Sequence, residues 1–129
     1  MSENFLVEII SPDKTILKSD SAEVTIPSYE GQMGILKDHI SIISFLKPGI
    51  IKIYSKSQEE NYYVEDGIME FKNNNLSILT SSIFNIKDID KNKIEKILKE
   101  AEAQSNNSDI NDQKKYLVDQ KVEVLKSIH

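Results

Sequence analysis

The chain has 129 residues, of which 39% are hydrophobic and 29% are charged, so it can fold as one ordinary domain or as a small domain with an appendage. It contains no cysteine, which excludes disulfides, thiolate nucleophiles and metal sites built on sulfur. All 16 basic residues are lysines, so no arginine can clamp a phosphate or carboxylate. The formal net charge of −5 disfavours binding to nucleic acid or to anionic lipid headgroups.

No segment has the pattern of a targeting or membrane-spanning sequence. The first four residues are polar and acidic, unlike a secretory signal peptide. The longest nearly apolar stretch, residues 40–46, is far shorter than a membrane span. We therefore expect a soluble, cytoplasmic protein without membrane insertion.

Residues 5 to about 84 consist of short apolar runs separated by turn residues every eight to twelve positions, a pattern typical of an all-β sandwich or barrel. Nine strands are predicted, at residues 6–10, 14–18, 22–27, 33–36, 41–46, 50–55, 61–66, 68–73 and 76–80.

Two turn signals connect the last three of these strands. Asp66-Gly67 favours a tight hairpin, because both central positions of such a turn need a positive φ. The run 73–75 is all asparagine, the residue other than glycine that best tolerates this conformation. The two signals predict an antiparallel meander of three strands.

From Asp88 onward the apolar residues follow a helical period. Ile94, Ile97, Leu98 and Ala101 form one stripe, and Asp88 or Asp90 would cap the helix. A second helix follows the polar run 104–108. Its predicted cap is Ser108 or Asp109, and its apolar positions are Ile110, Leu117, Val124, Leu125 and Ile128.

A short connection between two amphipathic helices predicts an antiparallel helical hairpin. Its apolar stripes are thin, so it depends on packing against the sandwich or against a partner. A movable hairpin and one that is permanently packed on the sheet are both compatible with this pattern.

Catalytic and metal-binding patterns are weak. His39 is the only histidine before the last residue, and no serine lies in a nucleophile-elbow context. Asp38 is adjacent to His39, and neighbouring side chains on a strand point apart, which argues against a shared metal site. Gly31-Gln32-Met33-Gly34 lacks the lysine and hydroxyl residue of a phosphate-binding loop. No catalytic or metal-ligating residue is predicted.

Four segments together resemble the epsilon subunit of F-type ATP synthases, in an order and spacing that extend over essentially the whole chain. They are IPSYEGQMGILKDH (residues 26–39), LKPG (46–49), DGIME (66–70) and DID (88–90). The resemblance implies a mainly β fold with a helical part: a ten-stranded β-sandwich at residues 1–86, followed by a regulatory helical hairpin at residues 87–129.

The resemblance also implies a function. The chain would be a non-catalytic rotor subunit that binds the gamma subunit and the c-ring, peripheral to the cytoplasmic face of the bacterial inner membrane. Glu30, Gly31, Gln32 and His39 would form the loop that faces the c-ring. Such a loop would pair with polar partner loops, and a glycine allows close backbone approach. The hairpin would reach the alpha and beta subunits and inhibit ATP hydrolysis.

Some members of this family bind ATP through an Ile/Leu-Asp-x-x-Arg-Ala motif at the first helix. The matching positions here are Ile89, Asp90, Lys93 and Ile94, so lysine replaces arginine and isoleucine replaces alanine. Lysine cannot reproduce the planar guanidinium fork. We therefore predict weak or absent ATP binding and no cofactor.

The main alternative is a free-standing β-sandwich that binds a small ligand, with the helices as a lid. Such a module would be monomeric and would have a concave apolar pocket with a few polar groups.

Overall fold

The computed structural model describes residues 3–56 and 58–128; Met1, Ser2, Ser57 and His129 lie outside the described residues. The strands are β1 (Phe5–Ile10), β2 (Thr15–Ser21), β3 (Glu23–Ser28), β4 (Gly31–Leu36), β5 (Ile42–Leu46), β6 (Gly49–Ser55), β7 (Gln58–Val64), β8 (Gly67–Lys72), β9 (Asn75–Leu79) and β10 (Ile83–Asn85). A 3-10 turn (Ile86–Asp88) precedes the helices α1 (Lys91–Ser105) and α2 (Asp112–Ser127). The predicted fold class, a ten-stranded β-sandwich followed by a helical hairpin, is confirmed.

The strands form one sheet that curls into two layers. One layer has the order β10-β7-β6-β3-β4, and the other has the order β5-β8-β9-β1-β2. β3 joins the layers, because its first half pairs with β6 while its last residue, Ser28, pairs with Leu46 of β5. The described strand pairs are antiparallel except for β1 and β9, which run parallel.

The main core lies between the two layers. Alternate residues of β1 are buried, as expected for a strand with one face toward the core. The rings of Phe5 and Phe71 meet edge to face at 5.5 Å across this space. The buried residues of this core are Phe5, Val7, Ile9, Val24, Ile26, Ile35, Leu46, Ile51, Ile53, Tyr62, Val64, Met69, Phe71, Leu76 and Ile78.

The hairpin packs on the outer surface of the β10-β7-β6 layer. Ile50, Tyr63 and Phe84 lie in register across β6, β7 and β10, so their side chains share the face opposite the core. Ile94 of α1 and Leu125 of α2 pack against this row. Since the first turn of α1 and the last turns of α2 meet here, the helices are antiparallel, as predicted.

The start of α1 agrees with one of the two predicted caps. The side chain of Asp90 accepts a hydrogen bond from the amide of Asn92 at 2.8 Å, so Asp90 is the N-cap. Of the predicted apolar stripe, Ile94 and Ala101 are buried, while Ile97 and Leu98 are half-buried.

The predicted cap of α2 is wrong. The helix is capped by Asn111, whose side chain accepts from the amide of Lys114 at 2.8 Å, rather than by Ser108 or Asp109. The buried apolar positions also include Val118, which the seven-residue spacing missed, whereas Leu117 is half-buried. Val118 and Leu125 are themselves seven residues apart, so the buried face is centred one residue later than the predicted 117–124 spacing.

The predicted hairpin at Asp66-Gly67 is also wrong. β7 pairs with β6 and β10, whereas β8 pairs with β5 and β9, so the two strands lie in different layers. Gly67 does have a positive φ of 146°. This conformation turns the chain from one layer to the other instead of folding it back on itself, so the predicted three-stranded meander reduces to β8 and β9.

The asparagine run does form a hairpin turn, as predicted. Asn73 and Asn74 have φ values of 52° and 59°, and they connect β8 to β9 in antiparallel register. β10 was not among the strands predicted from the pattern, because its three residues are too few to show an alternation.

We expect Gly67→Ala to destabilise the fold by more than about 2 kcal/mol, because alanine is strained at this φ and its Cβ would lie 2.5 Å from the carbonyl oxygen of Leu79. The matched control is Gly34→Ala in β4, where the nearest atom to an added Cβ, a carboxylate oxygen of Glu23, is 3.9 Å away. The control should stay within about 0.5 kcal/mol of the parent. Urea denaturation measures both, and equal stabilities would contradict the assigned role of Gly67.

Candidate functional site

The turn between β3 and β4 contains three of the four residues predicted to face a partner: Glu30, Gly31 and Gln32. Tyr29 and Glu30 occupy its tip, and Gly31 has a φ of 116°. An added Cβ on Gly31 would meet no atom within 4 Å, so the backbone here is open to close approach from outside.

The side chain of Glu30 ties this turn to the opposite layer. Its Oε2 atom accepts a hydrogen bond from the Ser44 hydroxyl of β5 at 2.6 Å and lies 3.1 Å from the Ser28 hydroxyl. The amide of Glu30 donates to the Ser28 oxygen at 3.2 Å. Both serines are buried, whereas Glu30 is exposed. The turn is therefore fixed in shape although it projects into solvent.

The same contacts favour the charged form of Glu30. The hydroxyl of Ser44 lowers the pKa of this carboxyl group most, followed by the backbone amide of Glu30 and the hydroxyl of Ser28. Glu30 therefore presents a permanent negative charge at neutral pH, in an orientation set by Ser44.

The structure does not bring His39 to this turn. β4 runs from Gly31 to Leu36, about 17 Å at the usual strand rise, and His39 lies beyond its far end. The imidazole Nδ1 is 2.8 Å from the carbonyl oxygen of Ile40, and the ring meets Phe71 edge to face at 5.9 Å. These contacts fit a structural role in the loop between β4 and β5.

The loop after β4 and the β8–β9 turn hold each other in place by hydrogen bonds. Asp38 has a φ of 67°, and its amide donates to the Asn74 side chain at 2.7 Å. The Asn74 amide group donates in return to the Asp38 carboxylate at 3.0 Å. The loop after β4 is thus held by the β8–β9 turn.

The sequence interpretation missed an exposed apolar face on the outer surface of the β5-β8-β9 layer. We define this apolar face as Tyr29, Ile43, Phe45, Ile68 and Leu79. Phe45, Ile68 and Leu79 lie in register across the three strands, so they form one continuous row. Ile43 is 65% exposed, Phe45 60% and Leu79 50%, which is unusual for neighbouring large apolar side chains.

The row borders a groove of about 640 Å³, open to solvent. Tyr29, Phe45, Ile68 and Leu79 line its apolar part, and the rim includes Asp66, together with Ser11 and Ser81. The described helices pack on the other layer, so they do not cover this groove.

One sequence signal could have revealed the apolar face. β5 reads Ile-Ile-Ser-Phe-Leu, with large apolar residues at both alternating positions. A half-buried strand would carry polar residues on its outer face. The buried Ser44 and the exposed Phe45 reverse that expectation, and Ser44 is accounted for by its bond to Glu30.

The positions that match an ATP-binding motif in sequence serve the hairpin instead. Asp90 is the cap of α1, and Lys93 is exposed. Ile89 is half-buried and packs against the apolar cluster between the hairpin and the sheet. Ile94, where the motif has alanine, is buried beside Tyr63. Weak or absent ATP binding remains a prediction.

Other kinds of site are not found in the part of the chain that the structure describes. Within residues 3–56 and 58–128 there is no group of three or more metal-ligating side chains that could hold an ion. Neither described helix has the length and hydropathy needed to cross a membrane.

Comparison with known proteins gives a consistent family. The family model for the β-sandwich domain of ATP synthase delta/epsilon chains matches residues 4–86. The ATP synthase epsilon chain of Pelagibacter ubique is 71% identical, and the alignment covers 100% of both chains. The sodium-ion-specific ATP synthase epsilon chain of Propionigenium modestum is 34% identical, over 76% of this chain and 69% of that one.

A solved structure shares the fold. A chain in the cryo-EM structure of the Euglena gracilis mitochondrial ATP synthase, described as OSCP/F1/c-ring, superposes with a TM-score of 0.76. The match covers 98% of this chain and 79% of that chain, at 24% identity.

We expect Ser44→Ala to raise the pKa of Glu30 toward its ordinary value, because the shortest hydrogen bond to the carboxylate is lost. In the parent, the lowered pKa stabilises the fold above the unfolded value of about 4.3, and this contribution is lost as pH falls through the folded pKa. The variant should therefore lose less stability on acidification. Carboxyl NMR titration measures the shift, with the exposed Ser41→Ala as control. An unchanged titration in Ser44→Ala would contradict the assigned tether.

Proposed function

Because this chain belongs to the ATP synthase epsilon-chain family, we propose that it is a non-catalytic subunit of the central stalk of a rotary F-type ATP synthase. In this role the sandwich binds the gamma subunit and the c-ring and passes rotation between them. Its site is peripheral to the membrane, on the cytoplasmic face of the bacterial inner membrane.

The exposed apolar face is the observation that carries this proposal. Each layer of the sandwich has an apolar row in register on its outer surface. The row Ile50–Tyr63–Phe84 is covered by the hairpin of the same chain, whereas the row Phe45–Ile68–Leu79 is left open. Apolar surfaces of this kind are typical of stable protein interfaces. We assign the open row to the gamma subunit.

The turn at Glu30, Gly31 and Gln32 suits a different partner surface. It is polar and negatively charged, its backbone is accessible, and it is held by Ser44. Such a turn can pair with the polar loops of a c-ring while resisting lateral force. Since His39 lies beyond the far end of β4, we limit the proposed c-ring contact to these three residues.

The alternative of a ligand-binding module with a helical lid has less support. The groove beside Phe45 and Leu79 lies on one layer, while the hairpin packs on the other. The helices therefore cannot close over that groove without leaving the β10-β7-β6 layer.

We also propose that the hairpin, α1 and α2, regulates the enzyme by reaching the alpha and beta subunits and inhibiting ATP hydrolysis. The structure is compatible with this movement, because a five-residue segment, the 3-10 turn with Ile89 and Asp90, joins β10 to α1 and can serve as the hinge. The hairpin buries few side chains of its own, so its position depends on what it packs against.

We expect Phe45→Glu to weaken binding to purified gamma subunit by at least about 30-fold, because a charge would be placed in the middle of the apolar row. Isothermal titration calorimetry with the full-length chain measures the affinity. The fold should survive, since Phe45 is exposed in the free chain.

The matched control for this variant is Tyr116→Glu, at an exposed aromatic residue of α2 that is separate from the apolar face. This control should bind gamma as the parent does. Equal affinity of the two variants would reject the assigned gamma-binding surface.

Removing residues 87–129 from the assembled enzyme should raise its ATPase activity severalfold if the hairpin inhibits hydrolysis. The control is the complex carrying the full-length chain, assayed at the same subunit stoichiometry. Unchanged ATPase activity, with the truncated chain still bound, would reject the inhibitory role.

A further inference from the structure

The open apolar face has a negative charge on each side of its centre. Ile68 is the middle residue of the row, and Asp66 and Glu70 lie two residues before and after it in the chain. Side chains two residues apart along a strand share a face at a spacing of about 7 Å. Both carboxylates are exposed, and Asp66 lines the groove itself. An apolar side chain that docks on Ile68 therefore brings its neighbours close to two carboxylates.

A third carboxylate lies at the end of the face formed by the β3–β4 turn. Glu30 is adjacent to Tyr29, a member of the apolar face, and both residues are exposed. The Ser44 hydroxyl holds the Glu30 carboxylate at 2.6 Å, so this charge has a fixed position before any partner arrives. We define the acidic border as Glu30, Asp66 and Glu70.

The chain does not neutralise this border with its own lysines. Within residues 3–56 and 58–128, none of the three carboxylates takes part in an ion pair, and no lysine lines the groove. Lysines on this layer lie beside other carboxylates or past the border: Lys14 next to Asp13, Lys18 opposite Glu8, and Lys72 two residues beyond Glu70. The border charges are therefore available to an external partner.

These charges distinguish between two kinds of partner for the apolar face. In a two-fold dimer through this face, both copies would contribute the same three carboxylates. Like charges brought together across an interface oppose binding. A basic surface would instead pair with the border, and no ion pair inside the chain would have to be broken. The face therefore fits a partner of opposite charge better than a second copy of this chain.

We propose that the acidic border selects the partner of the apolar face, which is a segment of gamma that carries lysine or arginine beside the apolar side chains that enter the groove. This inference rests on the proposed function and adds the chemistry that the gamma segment must have. Phe45, Ile68 and Leu79 supply the desolvated centre of the contact, and the border attracts and orients the basic side chains around it. Charges within about one Debye length, about 10 Å at 0.1 M salt, act together on an approaching partner.

Association kinetics of the full-length chain with purified gamma test the role of the border. We expect the association rate constant of the parent to fall by at least about tenfold between about 0.02 M and about 0.5 M NaCl, because salt screens the attraction. Asp66→Lys combined with Glu70→Lys should lower the low-salt rate constant by at least about tenfold and should remove most of its salt dependence. Biolayer interferometry with immobilised gamma measures both effects.

A conservative variant separates charge from shape. Asp66→Asn combined with Glu70→Gln keeps the size of both side chains and removes their charge, so its low-salt rate constant should lie between those of the parent and the lysine variant. The fold should survive in both variants, because the side chains are exposed and the structural contact of Asp66 is made by its main chain. The carbonyl oxygen of Asp66 accepts a hydrogen bond from the Thr80 hydroxyl at 2.6 Å.

The matched control makes the same change in net charge outside the apolar face. Glu23→Lys combined with Glu100→Lys replaces two exposed carboxylates, one on β3 where it pairs with β6 and one on α1. Because steering depends on charges close to the contact, this control should associate with gamma within about twofold of the parent.

The outcomes separate this inference from the proposed function. If the lysine variant and the control associate with gamma equally fast, the border does not select the partner, although gamma binding itself stands. If the parent does not bind gamma, the proposed function fails. A dimer of the parent in sedimentation equilibrium that Phe45→Glu abolishes would assign the face to a second copy and overturn the inference. If the lysine variant does not fold, the Asp66→Asn, Glu70→Gln variant decides the question, and an unchanged low-salt rate constant would overturn the inference.

Discussion

The alternation of side chains along paired strands is the constraint on which the rest of this structure depends. On β6, β7 and β10, one set of alternate positions fills the core, and the other set places Ile50, Tyr63 and Phe84 in line on the outside. On β5, β8 and β9, the same rule places Phe45, Ile68 and Leu79 in line. A register slip of one residue would exchange the inner and outer sets. The sandwich is therefore apolar on both outer surfaces as well as inside.

This arrangement gives the two surfaces different roles. The helices of the chain cover the row on the β10-β7-β6 layer and leave the row on the β5-β8-β9 layer exposed. Burial of the exposed row therefore requires a second protein. On β5, Ser44 connects the exposed apolar row to the turn at Glu30. It occupies an inward position between two outward apolar residues, and it uses its hydroxyl to hold the charged turn at Glu30. The row that we propose to bind gamma and the proposed c-ring turn are thus joined through a single strand.

Much of the fold could be predicted from the sequence, because apolar periods of two and of 3.6 residues are local signals. The nine predicted strands, the α1 cap at Asp90 and the asparagine turn are of this kind. Apart from the cap of α2, the errors concern non-local choices. Asp66-Gly67 has the composition of a hairpin, but β7 finds better partners in β6 and β10, and the glycine directs the chain to the other layer instead. The separation of His39 from Glu30 follows from the length of β4, which lies between them. The exposure of Phe45 depends on which face of β5 is turned to the core, and large apolar residues at both alternating positions leave that choice open.

The parallel pairing of β1 with β9 has a consequence for how the protein is made. β1 lies between β2 and β9 in its layer, so it can pair with β2 at once but cannot pair with β9 until residues 75–79 have left the ribosome. Contacts so distant in sequence are slow to form, because a long loop must close first. The helices follow all ten described strands in the chain, so they are synthesised after the strands against which they pack.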